Sequence, residues 1–68
     1  MNIGKSIRVL CAQNDVMSNE LASAIGVSVQ TVSYWVNGKS NPSISRIEEM
    51  AKFFKIRVSE IIEAGEGR

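Results

Sequence analysis

Along the N-terminal stretch, Ile3, Ile7, Leu10 and Cys11 recur at the i, i+4, i+7 and i+8 positions of a helix, while Lys5, Arg8 and Gln13 fall off that stripe. The pattern predicts an amphipathic helix that stops at Asn14-Asp15. Ser18 is then the expected N-cap of a second helix. Glu20 places a carboxylate in its first turn, where the helix dipole favours it, and Leu21, Ala22 and Ile25 form its apolar stripe. Gly26 follows the last periodic residue and predicts the helix end, since glycine takes the left-handed conformation at low cost. So short a helix does not hold by itself and needs tertiary packing.

Val27 is an apolar link, and Ser28 is a second N-cap candidate immediately beyond it. A third helix follows, with Val32, Trp35 and Val36 on one face and Asn37-Gly38 as its stop. Its β-branched Val29, Thr31 and Val32 favour a strand by propensity alone, but alternation fails at Trp35-Val36 and both ends carry helix punctuation. In the polar loop "KSNPS", Pro42 disfavours helix at Asn41. Ser43 caps a fourth helix carrying Ile44, Ile47, Ala51 and Phe54, with Met50 bordering the stripe. After a turn from Lys55 to Val58, Ser59 is expected to cap a short last helix bearing Ile61 and Ile62. The predicted fold is all-α, five helices around one core, forming a single domain over residues 1–68 with a frayed tail at about 65–68.

At 68 residues, 44% of them hydrophobic and 22% charged, the chain has the composition of a folded protein in a size range where one core is marginal without efficient packing or association. The apolar runs are short, and "MNIGKSIRVL" lacks the features of a signal peptide, so a soluble, cytoplasmic protein is expected. Cys11, the single cysteine, reads as a buried thiol in a reducing compartment. With no histidine and no cysteine cluster, no metal site is expected, and neither is a cofactor or small-molecule ligand. The carboxylates Glu48, Glu49, Glu60 and Glu63 fall on solvated helix faces, and no nucleophile stands beside a base, so an enzyme is not expected.

A net charge of +1 says little about partners, but its distribution says more. Residues 21 to 45 hold Lys39 and no acid, whereas Glu48, Glu49, Glu60, Glu63 and Glu66 lie in the last third. A polyanion would meet least repulsion at the middle of the chain. There, two short helices joined through a glycine turn are the minimum description of a helix-turn-helix, whose second helix enters the DNA major groove.

The segment "MSNELASAIGVSVQTVSYWVNGKSNPSISRIEEMAKFF" resembles the phage repressor and Cro-type helix-turn-helix family, also called the XRE family, with its lambda-repressor-like fold. The likeness runs from about Ile3 to Ile62, with turn, spacing, the "NGKSNPS" loop and the following amphipathic helix in order. It implies that Ser28 to Asn37 lies in the major groove, with Val29, Gln30, Ser33 and Tyr34 at base-contacting positions. Asn19, Ser28, Asn37, Lys39, Ser40 and Asn41 match the phosphate-contacting ones. Residue chemistry agrees independently: Gln30 suits adenine N6 and N7, Val29 a thymine methyl, and Ser33 several base edges. Trp35 reads as core, and Lys5, Arg8, Lys52, Lys55 and Arg57 as solvated surface.

The expected function is a sequence-specific transcriptional regulator of double-stranded DNA, a Cro-like protein or repressor that binds an inverted-repeat operator as a homodimer. Apolar Val58, Ile61 and Ile62 are the expected dimer surface. An antitoxin or restriction-modification controller of the same fold, and a protein-interaction module that does not bind DNA, remain alternatives. One departure from the family stands out. Many relatives carry an arginine late in the first helix and a glutamate just before "NG"; here those positions are Cys11 and Val36. Replacing both charges by apolar groups can leave the fold intact, while altering how the loop is held.

Overall fold

The computed structural model describes residues 3–65. In chain order the helices are α1 (Ile3–Asn14), α2 (Ser18–Ile25), α3 (Val29–Val36), α4 (Ile44–Phe54) and α5 (Val58–Gly65).

The ends of α1 to α4 follow from a single backbone device. Asp15, Gly26, Gly38 and Lys55 all take the left-handed conformation, with φ of 54°, 76°, 74° and 60°. In each case the next N–H turns back to a carbonyl in the helix just ended. Val16 donates to Cys11 at 2.9 Å, Val27 to Ala22 at 3.0 Å, Lys39 to Tyr34 at 2.9 Å and Ile56 to Ala51 at 2.9 Å. These bonds satisfy carbonyls that a helix C-terminus otherwise leaves without partners.

Helix starts are of two kinds. The Ser28 and Ser43 hydroxyls accept from the N–H of Thr31 at 3.1 Å and of Arg46 at 3.3 Å, as the sequence predicts. Ser18 and Ser59 are not caps: α2 has Met17 as its N-cap, and both serines lie inside their helices. Here a glutamate does the capping from within the first turn. Met17 N–H donates to Glu20 Oε1 at 3.0 Å, and Arg57 N–H to Glu60 Oε1 at 3.1 Å. This half of a capping box requires no hydroxyl at the cap position.

One apolar cluster receives a stripe from every helix, including Ile7 and Leu10, Leu21 and Ile25, Val32 and Trp35, Met50 and Phe54, and Ile61. Through it α1 packs on α5 and α3, α2 on α3 and α4, and α4 on α5. Two positions in α4 exchange their expected places. Met50 is in the core, while Ile44, the first residue of the helix, is 70% exposed. Two expectations at the C-terminus are also corrected. Ile61 is 1% exposed, so its side chain belongs to the core of its own chain and not to a dimer surface. Gly65 is a buried residue of α5 rather than the start of a frayed tail, and the rest of that expected tail, residues 66–68, lies outside the described residues.

The α1–α3 contact is tight at Gly4. A Cβ there would lie 2.6 Å from the Val36 carbonyl oxygen and 2.8 Å from that of Trp35. Only a glycine lets the two backbones approach so closely. Cys11 and Val36 are half-buried against the core, and burial pushes the Cys11 thiol pKa up.

Candidate nucleic-acid interface

The period of α3 divides its residues between two faces. Val32 and Trp35 are buried, while Val29, Gln30, Ser33 and Tyr34, together with Asn37 just beyond the helix, are exposed. Val29 and Tyr34 are large apolar or aromatic side chains left 52% and 41% accessible. Packing against α1 and α2 holds the buried face, so the exposed one is presented on a rigid support.

Side chains on that face are organised among themselves. Gln30 Nε2 donates to Tyr34 Oη at 2.8 Å, one turn further on, and Lys39 Nζ lies 5.8 Å from the centroid of the Tyr34 ring. Asn37 Nδ2 donates to the Ser33 carbonyl at 2.9 Å and to Ser33 Oγ at 3.3 Å. The Ser28 hydroxyl, beyond its capping role, is 2.9 Å from Thr31 Oγ1. Asn19 is exposed in the first turn of α2, and Ser40 and Asn41 are exposed in the loop after α3.

Two features of the site were not legible in the sequence. Lys5 and Arg8 are exposed, as their place off the apolar stripe predicts, and what the sequence does not show is that both line a shallow recess with Val36, Asn37 and Gly38 at the end of α3. They reach it because Gly4 brings α1 against that end of α3. Arg46 is the second: its Nη1 donates across to the Ile25 carbonyl at 2.9 Å and to Glu49 Oε1 at 3.0 Å. That bond fastens α4 to the end of α2, next to the Gly26 turn. No local pattern signals either arrangement, since both come from tertiary packing.

A family model described as helix-turn-helix matches residues 16–61, from the turn before α2 into α5. The chain belongs to the helix-turn-helix family. In this helix-turn-helix protein, α2 and α3 are the two helices of the motif, with the turn made at Gly26 as the sequence predicts. The cryptic phage CTXphi transcriptional repressor RstR of Vibrio cholerae is 30% identical over 60 residues, which cover 88% of this chain and 54% of that protein. The chain thus spans about half the length of the curated relative it matches, at 54%. Among the described residues, no helix is long and apolar enough to cross a membrane.

Proposed function

We propose that this chain is a sequence-specific regulator of transcription, a Cro-like repressor that occupies a double-stranded DNA operator as a dimer in the cytoplasm. The observation that carries this reading is the exposed face of α3: Val29, Gln30, Ser33 and Tyr34 stand opposite the buried Val32 and Trp35, in a stretch from residue 21 to 45 that has no acid. Laid in a major groove, Val29 meets a thymine methyl, Gln30 an adenine edge and Ser33 a further base edge. Asn19, Asn37, Lys39, Ser40 and Asn41 flank this face and contact phosphates, which sets register without reading sequence. Ser28, whose hydroxyl accepts from the Thr31 N–H, belongs to the same phosphate-contacting set. Similarity to a protein named as a transcriptional repressor supports repression over activation.

A single module of this kind buries roughly 600–1,000 Å² of protein surface on DNA, and useful discrimination comes from two modules on half-sites about one helical turn apart. The half-buried Val58 and Ile62 of α5 supply the apolar surface for that pairing. Enrichment of a random duplex pool by the purified protein at near-physiological salt, followed by sequencing, tests the reading. The expected product is an inverted repeat with half-sites about one turn apart. No enrichment, together with no duplex binding at low salt, overturns it in favour of a protein-interaction module.

A further inference from the structure

At the C-terminal end of α3 the exposed surface turns a corner onto α1. The recess at that corner is lined by Lys5, Arg8, Val36, Asn37 and Gly38, which include two cations and an amide but no acid. Gly4 makes the close approach possible. A Cβ there would lie 2.6 Å from the Val36 carbonyl oxygen, so α1 meets the end of α3 backbone to backbone. Arg8 stands one turn beyond Gly4 on the same face of α1, and Lys5 is its neighbour three positions back. Both cations are thereby brought beside Asn37, the last residue of the exposed face that begins at Val29.

The 8 residues of α3 span about 12 Å, close to the width of a major groove. With Val29 and Gln30 at base edges, the other end of the helix emerges where the phosphates of the groove wall run. Asn37 brings no charge to that place, and its Nδ2 already donates to the Ser33 carbonyl and hydroxyl. The charge comes from α1. A guanidinium offers paired N–H groups that fit two phosphate oxygens, and an ammonium beside it adds a second positive charge. We propose that Arg8 and Lys5 form a phosphate site across the recess from α3, which ties the DNA backbone to α1 as well as to the helix-turn-helix. This rests on the DNA-binding reading and adds to it a helix that lies wholly before residue 16, where the matched family segment begins. Lys5 also borders a groove that holds Glu60 and Glu63, which offset part of its charge, so Arg8 supplies the larger share.

Binding is measured for the unaltered protein, Arg8→Gln, the double variant Lys5→Gln/Arg8→Gln, and a control, Lys52→Gln/Lys55→Gln. The control loses the same charge at α4, which packs on α2 and α5. Titrations run from about 50 to about 200 mM salt on a duplex enriched by the unaltered protein and on a random one. The α1 double variant is expected to lower the slope of log affinity against log salt by about 1 to 2 on both duplexes, with the larger part already present in Arg8→Gln. The affinity lost between those salt concentrations then shrinks by about four- to fifteenfold. Duplexes in which single phosphates are replaced by uncharged methylphosphonate locate the contact. At one or two neighbouring positions the replacement should weaken the unaltered protein several-fold and leave the α1 double variant unaffected. A slope change as large in the Lys52→Gln/Lys55→Gln control overturns the proposal, as does a methylphosphonate profile that is the same for the α1 double variant and the unaltered protein. So does a lowered melting temperature with no change in slope, which would mean that the cations serve only the negative end of the α3 dipole. If the unaltered protein binds no duplex at low salt, the DNA-binding reading itself falls, and that outcome is seen before any variant is compared.

Discussion

Arg46 Nη1 lies 2.9 Å from the carbonyl oxygen of Ile25, the last residue of α2, and 3.0 Å from Glu49 Oε1. The carbonyl is one that the helix leaves unpartnered, at the negative end of its dipole, so a guanidinium there is favourable. The ion pair with Glu49 is different in kind, because its side chains are 39% and 43% exposed and water screens them. Arg46→Ala should therefore lower stability by about 1 kcal/mol, and Glu49→Ala by under about 0.5 kcal/mol. Urea denaturation followed by the fluorescence of Trp35 measures both; equal losses would show that the ion pair, not the carbonyl bond, carries the effect.

Gly4→Ala should destabilise the protein by about 1–3 kcal/mol, although alanine is the better helix former by about 1 kcal/mol. The added Cβ would sit 2.6 Å and 2.8 Å from two backbone oxygens, which cannot move aside as a flexible side chain would. Relief requires α1 to shift from the end of α3, carrying Lys5 and Arg8 with it. Thermal unfolding checks the loss, and a variant as stable as the parent would mean that the α1–α3 contact is looser than 2.6 Å implies.

Lys55 ends α4 at φ 60°, a conformation that costs a residue with a Cβ about 1–2 kcal/mol and glycine almost nothing. Lys55→Gly should thus gain roughly 0.5–1 kcal/mol, after some loss of the lysine's favourable charge at the helix end. Gly26→Ala should do the reverse and lose about 1 kcal/mol, because φ there is 76° although the space around it is open. Chemical denaturation of the two variants should move the midpoint in opposite directions.

What the sequence made legible was local. Apolar spacing placed Leu21, Ala22, Ile25, Val32 and Trp35 in the core, and Gly26, Ser28 and Ser43 announced their own turn and caps. The Met17 and Arg57 N–H groups are capped by glutamates further along, so there was no hydroxyl at the cap to read. Asp15 and Lys55 take a conformation usually signalled by glycine. Arg46 reaches across 21 positions in the chain to Ile25, and Gly4 matters only because α3 ends beside it. On the candidate interface, exposure of Gln30 and Tyr34 followed from helical period, but the hydrogen bond between them required coordinates.

Adjacent isoleucines in α5 separate folding from association. Ile61 is 1% exposed and part of the core, while its neighbour Ile62 is half-buried. An aspartate at position 61 buries an unpaired charge and should abolish cooperative folding, whereas Ile62→Asp should leave a folded chain. If Ile62 belongs to the dimer surface, that folded variant should occupy a single half-site about as well as the parent but lose occupancy of the full inverted repeat. Sedimentation and duplex binding measure this; a variant that stays equally dimeric on the operator would remove α5 from the interface.

Base readers and phosphate contacts leave different thermodynamic signatures, which provides a direct test of how the exposed residues divide. Gln30→Ala should cost about 1–3 kcal/mol on an enriched duplex and relax preference mainly at one base pair, with little change on random duplexes. Lys39→Ala should weaken binding to every duplex alike and reduce the slope of log affinity against log salt by about 1, because one fewer counterion is released. Binding titrations at three or more salt concentrations, on an enriched and a random duplex, separate these components. Equal loss on both duplexes for Gln30→Ala would remove Gln30 from the base readers and leave α3 held on DNA by its flanking contacts alone.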